Sequence, residues 1–426
     1  MTRLSVVDEI FLRTHRGFGI PVAMQGLWVT EEPITPGALD LIDARLAEGR
    51  LGVRIVSSRL PGARRRWVRA PGRPGVRWTE PTDDPVRWAE SGADVSLDPE
   101  YGPGWRLTAA PCGKGTAVSL VCSHVIADAR GLIDAAVAAL SGVPDPIAPD
   151  DGTTDTADAL ATLSTVVGRT AVAVSALAVS RARRAELMQY LQASRTGTPA
   201  PARPDAWEAL SVSTDVEATQ WDRVAADGAG TPNVVFLSVV AAVVATLRCS
   251  GTSGDTDGSV LLGVPMKVEA GGANAISVTA VRITESDSLA DIRRRAKTAY
   301  RSPLTGPAGF PDELLHVVPE RAAALLAPST GRRDALCSNI GPLPEAVRTI
   351  GGRPAVRVAA RAIHPGLRHE QSAASPTILS AYLCRHDHAY TLSMVVTDPG
   401  AAHSVEQVRD AIATALGHHH LTPDFW

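Results

Sequence analysis

The sequence predicts a mixed α/β protein, and three observations predict it. Short apolar runs that are β-branched or alternating, such as Thr116–Cys122 and Leu210–Val216, have the length and period of strands. Stretches with apolar residues at helical spacing lie between them; Leu132, Ile133, Ala136, Val137 and Leu140 share one helix face. A segment at 196–205 containing Pro199, Pro201 and Pro204 reads as a linker and divides the 426 residues into two parts, each with room for a core.

Taken in order, Leu4, Val7 and Phe11 predict a short helix over Ser5–Thr14, followed by a strand over Gln25–Thr30. Thr35-Pro36-Gly37 opens a helix carrying Leu39, Ile42 and Leu46, because proline is accommodated in the first helical turn. Arg54–Ser58 reads as a strand, and Arg64-Arg65-Arg66 as a solvated loop with a phosphate contact as the sharper alternative. Pro71–Pro103, rich in Pro, Asp and Gly, reads mostly as loop. Trp105–Ala110, a Pro-Cys-Gly-Lys-Gly turn and Thr116–Cys122 form a hairpin, and a helix follows at Leu132.

Residues 1–150 are expected to form an N-terminal lobe, 151–206 a helical and Pro-rich linker, and 207–426 a C-terminal lobe. Ala159–Ser194 reads as an Ala-rich helix packed between the lobes, with a membrane-surface helix as the alternative. Strands follow at Leu210–Val216, Ser259–Val264, Ile276–Ile283, Leu336–Ile340, Ala355–Ile363, Thr377–Cys384 and Tyr390–Thr397. Thr231-Pro232 caps a helix that is apolar all round and therefore buried on most sides. Ser288-Leu-Ala-Asp291 starts a helix with a capping-box pattern, and Ser404 starts the last one.

Composition excludes several classes. A net charge of -3 gives no support to a nucleic-acid partner. The cysteines Cys112, Cys122, Cys249, Cys337 and Cys384 are odd in number and scattered, which favours free thiols in a reducing cytoplasm. The N-terminus lacks the apolar core of a signal peptide, and the longest apolar run, Val234–Leu247, is too short to span a bilayer. His386-Asp-His388 has metal-like spacing but no third ligand nearby, so a polar hairpin turn is expected. His418-His-His420 is expected in a solvated tail, and no metal or bound cofactor is expected.

The chemistry concentrates in Ser123-His-Val-Ile-Ala-Asp128, between the strand ending at Cys122 and the helix carrying Leu132. A strand end is rigid and can aim a side chain. Asp128 stands where an N-cap stands, so its carboxylate serves the turn and leaves His124 free for proton transfer. The H-x-x-x-D formed by His124 and Asp128 resembles the H-H-x-x-x-D-G signature of CoA- and carrier-dependent acyltransferases, among them chloramphenicol acetyltransferase, nonribosomal peptide condensation domains, polyketide-associated acyltransferases and wax ester synthases. Ser123 replaces the first His, and Ala129 replaces the Gly, with Gly131 two residues later. The segment Leu4–Leu12, the later Gly-Pro-Gly-Trp-Arg-Leu107 and the strand before His124 also look like the first half of a wax-ester-synthase-type enzyme.

The resemblance implies two chloramphenicol-acetyltransferase-like lobes in a V, with His124 in a tunnel between them. Two second-lobe segments extend it. Ser338-Asn-Ile-Gly341-Pro resembles the tunnel-lining S-N segment, where Ser338, Asn339 and Gly341 would orient an acyl group or meet an oxyanion; a strand-ending turn explains the same residues equally well. Pro265-Met266-Lys267-Val-Glu269 resembles the P-V-S-x-R segment, with Glu269 where relatives often carry an Arg that pairs with the motif Asp, so either Lys267 or another Arg pairs with Asp128 or the pair is absent. The implied activity is transfer of an acyl group from a CoA or phosphopantetheine thioester to an alcohol or amine, with His124 as general base, Asp128 as structural support and Ser123, Met266 and Lys267 near the substrates. Three alternatives accompany it: Ser123 as a nucleophile, a different reaction of a thioester-bound chain run by the same His, and a catalytically silent relative that docks a carrier protein or recruits a partner enzyme.

Overall fold

The computed structural model describes residues 3–16, 20–91, 97–145, 147, 152–185, 187–188, 209–250, 258–267, 276–301, 311, 313–318, 333–367, 371–372 and 377–426. Helix α1 (Val6–His15) begins at a capping box: Asp8 N donates to Ser5 Oγ at 3.2 Å and Ser5 N donates to the Asp8 carboxylate at 2.8 Å. Strand β1 (Ala23–Thr30) and α2 (Pro36–Glu48) follow as the sequence predicts. β2 (Val53–Val56) and β3 (Arg66–Arg69) form a separate two-stranded ribbon. The stretch expected to be loop contains β4 (Arg77–Trp78) and α3 (Pro85–Ser91). Both are too short to show a period, and α3 is held by burial of Val86 and Ala89. β5 (Trp105–Cys112) and β6 (Gly115–Ser123) make the expected hairpin, and α4 (Ala129–Ser141) follows.

The arginine triplet is neither solvated loop nor phosphate site. Arg64 pairs with Asp158 at 2.6 Å and Arg65 with Glu9 at 2.5 Å, while Arg66 enters β3. These ion pairs tie the ribbon to α1 and to α5 (Asp155–Val179). α5 also departs from expectation. It meets both halves of the chain, through Arg64 and through Arg169, which pairs with Glu313 at 2.6 Å, but only Asp158, Ala159, Thr162, Val166 and Ala173 bury one narrow face, while Leu160, Val167, Val172 and Val179 are 66–86% exposed. Its Ala/Val composition is similar all round, so no buried face was legible. By length and composition alone it is apolar enough to cross a membrane, and its first turns are fixed to the protein through Arg3 and Arg64.

The second half runs β7 (Leu210–Glu217), α6 (Ala218–Asp227), α7 (Pro232–Ser250), β8 (Ser259–Lys267), β9 (Ile276–Thr284), α8 (Leu289–Tyr300), α9 (Leu314–Val317), β10 (Ala335–Pro342), β11 (Thr349–Ile350), β12 (Arg353–Ile363), β13 (Leu379–His386), β14 (Ala389–Val396), α10 (Val405–Gly417) and β15 (Asp424–Phe425). α7 is the buried helix the sequence predicts, with Val235, Phe236, Leu237, Val239, Val240, Val243, Val244 and Leu247 fully enclosed. The Ser288 capping box forms as expected. Of the C-terminal histidines, His418 and His420 are exposed as expected, and His419 is not. His419 Nε2 and Ser238 Oγ hydrogen-bond at 3.0 Å, and β15 beyond them closes the edge of β7.

The strands make two large mixed sheets with helices packed on them. The first has the order β11-β12-β1-β6-β5-β4 and the second β15-β7-β14-β13-β10-β8-β9. β11 and β12 belong to the chain's second half yet lie in the first sheet, where β12 pairs antiparallel with β1 from Ala23↔Ile363 onward. One face of this sheet, with Met24, Trp28, Leu120 and Cys122, packs on Leu132, Ile133 and Ala136 of α4 and on α2. Each such fully buried aliphatic side chain stabilises by about 1.5–3 kcal/mol. On the opposite face a buried polar network joins five elements. Arg361 Nε donates to Gln25 Oε1 at 2.7 Å, Gln25 Nε2 donates to Ser119 Oγ at 2.9 Å, Arg361 pairs with Glu90 at 3.1 Å, and Ser211 Oγ donates to Glu90 at 2.7 Å.

Candidate active site

β6 ends at Ser123, still paired with Ala23 of β1, and the next amide, His124 N, donates to Val22 O at 3.2 Å. The chain then turns: Ile126 N donates to Ser123 O at 2.9 Å. The turn lies against Gly104, where a Cβ would come within 2.1 Å of Ile126 Cδ1, and Gly104 O accepts from Ser123 N. Asp128 is the N-cap of α4, as predicted. Its backbone is extended and its Oδ1 accepts from Gly131 N at 2.7 Å. Gly131 leaves room for this bond, since a Cβ there would sit 3.3 Å from Asp128 Oδ1. Ala129 is the first helical residue and has no positive φ, so the missing motif glycine costs no backbone strain here.

His124 is half-buried, and its ring stacks on Phe11 of α1 with centroids 3.7 Å apart and planes at 18°. Desolvation by this packing is the dominant effect on the imidazole and pushes its pKa down to about 4; its own backbone and the Asp128 carboxylate pull weakly the other way. The ring is therefore neutral at pH 7. Its Nδ1 is buried without a hydrogen-bond partner. Ser123 Oγ is likewise buried and unpartnered, so no serine–histidine dyad exists in this geometry. Successive residues of a strand face opposite ways, which is why the adjacent pair does not meet.

Among the described residues Asp128 forms no ion pair; the Lys267 side chain and Glu269 lie outside them. The second-lobe candidates form a cluster of their own. Ser338 is half-buried in β10 opposite Tyr382. A register shift follows between Asn339 and Gly341, and Gly341 has φ +80°. Both ends of the Asn339 amide are engaged: Nδ2 donates to Asn233 Oδ1 at 2.9 Å and Oδ1 accepts from Gly341 N at 3.0 Å. Met266 is half-buried in β8 beside Ser277 of β9. Among the described residues no hydrogen bond or ring contact joins these groups to His124.

Two features of this region escaped sequence reasoning. Phe11 was read as a core residue of a short helix, and nothing local tied it to His124. His364 follows β12 at the same end of the sheet; it is 9% exposed, its Nδ1 lies 2.9 Å from Pro21 O, and its Nε2 is buried without a partner. Burial lowers its pKa, with the Pro21 bond opposing. The hairpin turn expected at His386-Asp-His388 forms between β13 and β14, with His386 buried beside Asp215, where burial lowers its pKa against the pull of that carboxylate. Among the described residues no group of three or more His, Cys, Asp or Glu is placed to hold a metal ion, and Cys112, Cys122, Cys337 and Cys384 are free thiols. A cavity of about 420 Å³ opens elsewhere, between α3 and the network-bearing face of β5 and β6, lined by Arg77, Arg106 and Ser119 and not by His124.

No protein-family model matches the sequence, and no curated protein matches it. Solved structures do match over nearly the whole chain. The wax ester synthase/diacylglycerol acyltransferase of Marinobacter aquaeolei VT8 aligns at TM-score 0.57 and 12% identity, covering 98% of this chain and 100% of that one. The first condensation domain of the CDA synthetase aligns at 0.54 and 15%, covering 97% and 95%. Polyketide synthase associated protein 5 from Mycobacterium tuberculosis aligns at 0.54 and 13%, covering 97% of each. At these identities the match speaks to architecture, and the two sheets with their helices are that architecture: the chain has the two-lobed fold shared by condensation domains and the acyltransferases of their superfamily.

Proposed function

We propose that this protein transfers an acyl group from a CoA or carrier-protein thioester to an alcohol or amine, in the cytoplasm and in lipid or natural-product biosynthesis. The observation that carries the reading is His124, an imidazole kept neutral by Phe11 and presented at a rigid strand end beside a capped helix. A starter condensation domain of the same fold, from rhizomide synthetase, was crystallised in complex with C8-CoA, which supports a thioester donor. His124 takes the proton of the acceptor O–H or N–H as the heteroatom attacks the thioester carbonyl. The tetrahedral adduct collapses with cleavage of the C–S bond, and His124 returns the proton to the departing thiolate. Donor and acceptor react directly, so no acyl-enzyme is required. Loss of general-base help is worth about 10²–10⁴ in rate. His124→Ala is expected to lose that factor with an unchanged circular dichroism spectrum, measured across a panel of acyl-CoA and acyl-carrier donors. Donor turnover that is unaltered by the substitution would remove the mechanism and favour the carrier-docking alternative, which the replacements at Ser123 and Ala129 keep in view.

A further inference from the structure

We propose that the cleft of about 420 Å³ between α3 and strands β4, β5 and β6 binds a small organic anion, a carboxylate or phosphate head on an apolar body. His124 does not line it, and the site is independent of the acyl-transfer reading. Strand register builds its floor. Arg77 of β4 pairs with Thr108 of β5, and Thr108 with Ser119 of β6, so the three share one row. Arg106, two residues from Thr108, lies on the same face, in the row Arg106–Val121–Gln25–Arg361. Strand spacing puts the Cα atoms of Arg77 and Arg106 about 8 Å apart, and both residues line the cleft. α3 supplies Arg87 and Trp88, whose indole is fixed by donating from Nε1 to Thr79 Oγ1 at 2.8 Å.

The two arginines of the second row are served differently. Arg361 has Gln25 and Glu90. Arg106 has no ion pair or hydrogen bond among the described residues, and its Nε is buried without a partner. The Arg77 guanidinium has none either. Against the three guanidiniums the cleft sets two carboxylates, Glu80 and Asp84. Glu80 is exposed, and Asp84 Oδ1 accepts from Arg87 N at 2.9 Å. Arg87 also acts on Glu406 of α10. Arg77 and Arg106 are left with donors and no acceptor, and a planar guanidinium fork matches a carboxylate or a phosphate. Ser119 Oγ accepts from Gln25, so its own hydrogen is available to the same head group. Trp88 and Val121 face the apolar body.

The test is calorimetric titration of the full chain with benzoate, phenyl phosphate and, as the neutral control, benzyl alcohol. At least one anion should bind saturably at a single site while benzyl alcohol does not, and the tighter anion identifies the head group. Arg106→Gln should weaken that anion about 10–100-fold, the factor for a hydrogen bond to a charged group, with an unchanged circular dichroism spectrum. Arg77→Gln, at an exposed position, should weaken it too and keeps the test open where Arg106→Gln fails to fold. The cleft is no anion site if neither anion binds, if benzyl alcohol binds as tightly as the anions, or if the folded arginine variants bind as wild type does.

Discussion

Asp128 and His124 sit four residues apart and depend on different ranges of structure. The cap is local: one carboxylate oxygen and the amide of Gly131, both legible in the sequence. Asp128→Ala should therefore cost about 0.5–2 kcal/mol of stability, as lost caps do. For a chain of this length that lowers Tm by roughly 1–2 °C in calorimetry. The state of His124 was not legible, because the ring that desolvates it belongs to Phe11, on a helix more than a hundred residues earlier. It has a consequence for pH. The folded-state pKa, about 4, lies below the unfolded 6.5, so between those values the unfolded chain binds more protons. Stability contributed by the neutral ring is complete above pH 6.5 and is lost as pH falls toward 4. Urea titrations at pH 7 and pH 5 should show a smaller acid-side loss for His124→Gln than for wild type. The acid limb of kcat/KM should likewise fall well below pH 6.5; a limb at 6.5 would mean that the working imidazole is solvated.

At the scale of elements, those with a strong period or a cap were legible: α4, α7, α8 and the β5–β6 hairpin. α3 and β4 were not, because elements of seven and two residues carry no period and exist through the surfaces they cover. The turn after β6 depends on a small residue just before another strand, β5. Ile126 Cδ1 occupies the space a Gly104 side chain would need. Gly104→Ala should destabilise by about 1–3 kcal/mol, the usual cost of overpacking. Ile126→Val removes the colliding methyl, so the double variant should recover part of that loss. A purely additive double-mutant cycle would place the strain elsewhere.

At the scale of the molecule, the class of fold was legible and the junction of its halves was not. β12 reads like any half-buried strand, and nothing in its residues says which sheet it joins. Arg361 lies within it, fully enclosed, its guanidinium pKa lowered by burial and supported by Glu90. Glu90→Ala would leave a buried unpaired cation and should cost about 3–5 kcal/mol in urea denaturation. Adding Arg361→Met should return most of it, since an apolar pair asks for no counter-charge; no recovery would show that Gln25 also needs the arginine.

The strand that β12 lends to the first sheet decides what happens when the chain is cut. A fragment ending in the 196–205 segment would carry β1 with one flank bare from Ala23 to Thr30, a row of unpaired amides and carbonyls beside apolar side chains. Produced alone it should self-associate through that flank. Produced together, the two fragments should find each other and co-purify as a non-covalent heterodimer, one donating a strand and the other accepting it. A synthetic peptide of residues 353–363 added during refolding of the first fragment should compete with the second for the vacant edge.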